Sequence, residues 1–159
     1  MRDPLKSFVV PPGGGTVIRG PVGGPTVIKA RTETTAGSFA FLENVVPSLQ
    51  GPPLHTHARE DEMWYVLEGH FRFRADAEML DAPAGSFVFV PRGVAHCFQN
   101  IGEDEAKILV MFTPGGMERF FEQHAQLPEG PVDPAAYQAI ARDNWMEVVG
   151  KPLAESDPR

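Results

Sequence analysis

Cysteine is nearly absent. Cys97 is the single one, so no disulfide can form within the chain. It lies between His96 and Phe98 in an apolar run, where a free thiol is expected to be an inert core residue. Basic residues are also scarce: 14 Lys and Arg stand against 21 Asp and Glu, a formal net charge of −7. Without a basic stripe or a helix-turn-helix pattern, no nucleic-acid partner is expected. No apolar run approaches the ~18–20 residues of a membrane span, so no membrane partner is expected either. Met1–Gly15 lacks the apolar stretch of a secretory leader, and the expectation is a cytoplasmic protein.

What the chain has in quantity is turn chemistry. Gly and Pro number 16 each in 159 residues, while hydrophobic residues make up 42%, enough for a packed core. From Thr26 onward, short apolar runs recur between turn residues. They are Thr26–Arg31, Ser38–Val46, Leu54–His57, Glu62–Glu68, His70–Arg74, Met79–Asp81, Ser86–Val90, Ala95–Asn100 and Ala106–Thr113. Strands this short and this regular point to an all-β sandwich or barrel. Residues 1–25 read as an arm or edge strands, 26–113 as the barrel, and 114–159 as a C-terminal helical extension. Within that extension, the spacing of Met117, Phe120, Phe121 and Ala125 predicts one helix, and Pro134 starts a second through about Arg142. The residues from Lys151 are expected to fray.

Four residues suggest chemistry. In His55-Thr56-His57 two histidines stand one residue apart, and on a strand positions i and i+2 face the same way. Glu62 opens the next strand, and His96 begins another after the turn Pro91-Arg92-Gly93. A barrel brings such distant strands around one axis. Three imidazoles and a carboxylate make a mixed nitrogen–oxygen set. It suits one divalent transition metal per chain, Fe, Mn, Ni, Co, Cu or Zn, and disfavours calcium or a thiolate zinc site. On an octahedral ion, four protein ligands leave open positions for water, oxygen or substrate. His70, in a hairpin turn, and His124, on a helix, read as solvated. Asn100 reads as a turn support.

The stretch His55-Thr56-His57-x4-Glu62-x6-Gly69 resembles the first motif of the cupin superfamily. Gly85-x5-Pro91-x-Gly93-x2-His96-x3-Asn100 resembles the second, and the intervening residues 70–84 match the short spacer of small microbial cupins. One departure stands out: Leu49 occupies the place of a glycine that the family carries before the first histidine. The resemblance implies a cupin jelly-roll barrel, a double-stranded β-helix, with His55, His57, Glu62 and His96 as metal ligands. It also implies a homodimer. The segment Thr113-Pro114-Gly115-Gly116-Met117-Glu118-Arg119-Phe120-Phe121 resembles the one that follows the last strand in bacterial quercetin-dioxygenase-like cupins. That likeness gives Glu62 the catalytic role of accepting a substrate proton.

Aromatic residues around these ligands extend the reading. Phe39 and Phe41 share one strand face, Trp64 shares a face with Glu62, Phe98 shares one with His96, and Phe112 lies downstream. As pocket lining they would suit a small aromatic or enolic substrate. The leading expectation is a metal-dependent dioxygenase. The alternatives are a non-redox isomerase, lyase or decarboxylase, or a metal-containing module that binds a ligand without turnover.

Overall fold

Two antiparallel sheets face one another across an apolar interior in the computed structural model, which describes residues 5–159. Residues 1–4, the start of the expected arm, lie outside the described residues. The strands are β1 (Thr16–Arg19), β2 (Pro25–Ala30), β3 (Ala40–Val46), β4 (His55–His57), β5 (Asp61–Glu68) and β6 (His70–Ala75), then β7 (Glu78–Pro83), β8 (Phe87–Val90), β9 (His96–Asn100), β10 (Ala106–Thr113) and β11 (Met146–Val148). One sheet runs β1-β2-β3-β10-β5-β8 and the other β11-β4-β9-β6-β7. From β3 onward the chain crosses from one sheet to the other at every step except the β6–β7 hairpin, the winding of a jelly roll. Among the described residues no helix is long and apolar enough to cross a membrane.

Period-two burial explains the strands. In β10 every second residue, Ala106, Ile108, Val110 and Phe112, is buried, and the residues between them are half-exposed. Leu42, Val66, Phe71 and Phe73 meet them from both sheets with essentially no exposed surface. Gly69 makes the tight link from β5 to β6 at φ +90°, and a Cβ there would come within 2.4 Å of the Ala106 Cβ. At the family's missing glycine, Leu49 itself adopts a left-handed backbone at φ +64°. Its amide donates to the Asn100 carbonyl at 2.9 Å. The turn is therefore kept without the residue that makes it easiest. Asn100 holds the same corner: its amide donates to the carbonyls of Val46 and Asp104, and its oxygen accepts from Gly102.

The C-terminal extension is woven into the barrel. Its helices are α1 (Glu118–Ala125) and α2 (Pro134–Asp143), the second capped by Asp133, whose carboxylate accepts from the Ala135 amide at 3.0 Å. Strand β11, which no periodicity announced, pairs antiparallel with β4. His124 is buried rather than solvated, its ring centroid 6.2 Å from Phe120 and 5.6 Å from Tyr137. Helical spacing explains this correction, because His124 falls on the same face as Phe120 and Phe121. His70 is partly exposed and lies 2.6 Å from an Asp81 oxygen.

The tail from Lys151 does not fray. A short helical turn, α3 (Leu153–Ser156), buries Leu153, and Asp157 then meets the buried Arg72. Arg72 donates to the Asp157 carboxylate at 2.7 Å, to the Asp157 carbonyl and to Gln99 at 2.9 Å. A cation this deep needs its partners. Asp157→Ala is therefore expected to cost about 1–2 kcal/mol through one lost charged hydrogen bond. In thermal unfolding that amounts to about 2–4 °C per kcal/mol. A melting temperature unchanged in Asp157→Ala would show that the tail does not secure Arg72.

Candidate metal centre

Strand β4 turns His55 and His57 into the barrel with Thr56 facing the other way. His96 opens β9 opposite His55 in the register. Glu62 comes from the facing sheet, where β5 turns Glu62, Trp64 and Val66 inward. Three imidazoles from one sheet thus meet one carboxylate from the other. All four side chains are buried, and their candidate ligand atoms lie within 4.8 Å of one another. Metal–ligand bonds of about 2.0–2.2 Å put opposed donors about 4 Å apart, so one ion fits among them with small side-chain shifts.

The hydrogen bonds around the histidines set their tautomers. His55 Nδ1 lies 2.7 Å from the Pro53 carbonyl, and His96 Nδ1 lies 2.9 Å from that of Val94. A carbonyl only accepts, so each Nδ1 carries the proton and each Nε2 is the atom turned to the centre. His96 Nε2 stands 2.7 Å from a Glu62 oxygen, and His57 Nε2 stands 2.9 Å from the same oxygen. Imidazole lone pairs and a carboxylate this close need a cation among them, a proton or a metal ion. His57 is the most telling of the three, since both its ring nitrogens are buried and neither makes a well-aligned hydrogen bond. The group is able to bind a metal ion.

Electrostatics agree. Burial alone would raise the Glu62 carboxyl, but the charges and hydrogen bonds of His57 and His96 outweigh it and hold the group far below the usual carboxylate range. Burial, then the charges of His96 and His57, push His55 well below its usual value. That favours the neutral form a ligand requires. Burial acts to lower His96, yet the hydrogen bond and charge of Glu62 carry it upward. Cys97, one residue on, is buried and its thiol is pushed up to about 11 by burial, which keeps it an unreactive thiol.

A pocket opens onto this group, with about 460 Å³ of atom-free space including its mouth. Trp64, Phe98 and Phe112 line it, whereas Phe39 and Phe41 do not. The two phenylalanines share a face, but it is the outer one, because Ala40, Leu42, Asn44 and Val46 take the inner positions of β3. Both phases of this strand are largely apolar, so alternation alone left its inward face undecided. The extension supplies the rest of the roof: Met117, Phe120 and Phe121 from α1 and its approach, Tyr137 from α2 and Met146 from β11. The period of α1 announced its apolar face. Nothing in the sequence marked Tyr137, Met146 or the inward-facing Asn44.

Residues 41–112, which hold all four candidate ligands, match the family model described as the cupin domain. The chain contains a cupin domain. Over 55 residues it is 40% identical to an uncharacterized protein of Streptomyces coelicolor, covering 35% of this chain and 51% of that protein. Over 60 residues it is 30% identical to a Streptomyces cyaneus protein named polyketide synthase CurC, covering 38% of this chain and 39% of that one. The chain thus spans about half or less of these curated relatives. The cupin fold itself is shared with a Thermotoga maritima protein described as a predicted oxalate decarboxylase. That match has a TM-score of 0.58 at 22% identity and covers 67% of this chain and 99% of that one.

Proposed function

We propose that this cupin is a metal-dependent dioxygenase acting on a small aromatic or enolic compound. The observation that carries the reading is the joining of an ion-binding His/His/Glu/His group to a pocket walled by Trp64, Phe98, Phe112 and Phe121. Such walls favour flat apolar ligands and keep water from the reacting atoms. Among the residues lining the pocket there is no Arg or Lys. A small dianion such as oxalate would have no side-chain cation to meet there, which favours a larger and less charged substrate. The likeness to the protein named polyketide synthase CurC supports a polyketide-like compound.

His55, His57, His96 and Glu62 would hold the ion. When bound, a divalent transition metal supplies Lewis acidity and an open position for substrate and oxygen. The chain's own contribution is at Glu62. Its carboxylate is ionised and buried, so it can take the proton of an enol or phenol placed beside it. The aromatic wall then keeps the resulting anion away from bulk water.

The test is oxygen uptake during turnover of an aromatic or enolic substrate screen on the purified, metal-loaded protein. Dissolved oxygen is expected to fall in step with substrate loss, and turnover should stop under nitrogen. Equal turnover without oxygen would replace this reading with a non-redox isomerase, lyase or decarboxylase. Tight binding without product in either atmosphere would replace it with a binding module.

A further inference from the structure

Apart from the metal group and the Trp64 indole, the pocket lining has two polar side chains, Tyr137 and Asn44. Asn44 sits on the inner face of β3 and is almost fully buried. A buried amide in an apolar wall is costly unless its polar atoms are used. One atom is used within the protein: the fully buried Thr26, paired with Asn44 in the register, donates its hydroxyl to Asn44 Oδ1 at 2.5 Å. With the oxygen tied to Thr26, the amide Nδ2 is the end left to the pocket, a donor held in one orientation.

The register measures how far this donor lies from the metal group. On β10, Phe112 pairs with Glu62 and Ile108 pairs with Asn44. Those two β10 positions are four residues apart, about 13–14 Å along a strand. Val110 and Trp64 pair with each other at the level between, and both line the pocket. The space is therefore a slot with three levels: ligating side chains at one end, Trp64 and Val110 in the middle, and a fixed amide donor at the other end.

We propose that Asn44 is the specificity-determining residue of this slot. Its substrate is then a two- or three-ring compound with a chelating enol or phenol at one end and an oxygen acceptor at the other. This deepens the reading above by naming the length and polarity of the substrate, and it rests on the metal group lying where that reading puts it. A single-ring compound held at the metal group leaves the Asn44 amide unmet, and a long compound without a distal oxygen leaves it desolvated and unpaired.

Binding to the zinc-loaded protein tests this without turnover, since zinc has no redox chemistry. Three probes suffice: tropolone, a one-ring chelator; 3-hydroxyflavone, long but without a distal oxygen; and 4′-methoxy-3-hydroxyflavone, which adds an acceptor alone. Wild type is expected to bind the methoxy compound about tenfold more tightly than 3-hydroxyflavone, the effect of one well-placed hydrogen bond. That preference should vanish in Asn44→Leu. It should reverse in Asn44→Asp, which can keep the Thr26 bond but turns an acceptor toward the methoxy oxygen. Tropolone should bind all three proteins alike. A methoxy preference that survives in both variants would overturn the proposal. So would a parallel loss of tropolone and flavone binding in Asn44→Asp, which would mean that Asn44 only supports the fold. Because no oxygen is consumed, the dioxygenase reading can fail while this result stands, and the reverse.

Discussion

Glu62→Gln is expected to retain bound metal and to lose turnover by about 10²–10⁴-fold, the usual contribution of a general base. The asymmetry follows from what the substitution leaves in place. Three imidazoles still converge on the centre, two of them oriented by the backbone carbonyls of Pro53 and Val94. A neutral amide oxygen can still approach the ion, but it cannot take a proton at neutral pH. Wild-type Glu62 can, because an ionised carboxylate keeps a lone pair free to receive one beside the pocket. Metal content by elemental analysis and initial rates on one substrate, measured on the same preparation, decide the matter. An unchanged rate would remove the proton-accepting role and leave the metal group standing. Loss of metal together with rate would make Glu62 chiefly a ligand.

How much of this was legible beforehand depends on which forces set each feature. The ligand group could be read because its spacing is imposed by strand geometry: His55 and His57 must share a face, and the turn at Pro91 and Gly93 must deliver His96. The barrel strands could be read because short apolar runs stand between turns, most of them marked by Gly or Pro. Helix α2 announced itself through Pro134, a first-turn proline. What stayed hidden was decided by tertiary contact. Strand β11 has only three residues and exists because β4 offers it an edge. The tail from Lys151 looks polar and loose, yet a buried arginine many residues away captures Asp157. Phe39 and Phe41 carried the right chemistry on the wrong face, since an apolar strand with two apolar phases does not declare which one turns inward. The polar end of the pocket was hidden for the same reason: Asn44 sits at an inner position where patterning predicts a hydrocarbon.

His57→Ala is expected to reduce bound metal from close to one ion per chain to nearly none while the barrel stays folded. Of the three histidines, His57 has the least to do within the protein. His55 and His96 are each tied to a backbone carbonyl, but neither nitrogen of His57 makes a well-aligned bond, although the ring is buried against Phe112 at a centroid distance of 5.5 Å. A buried imidazole whose one polar neighbour is the Glu62 carboxylate, at 2.9 Å and poorly aligned, is explained if an ion completes it. Removing it takes away one coordination bond and leaves a space that water can fill, so the remaining donors hold the ion more weakly. Thermal unfolding gives a second readout that needs no substrate. Added zinc at a hundred times its dissociation constant stabilises a protein by about 2.7 kcal/mol. Wild type should therefore melt several degrees higher with zinc, and His57→Ala should not. Exogenous imidazole should restore part of the metal binding, because the missing ligand is then supplied from solution to a site that is otherwise intact. Full metal occupancy in a His55→Ala, His57→Ala double variant would show that the ion, if any, is held elsewhere.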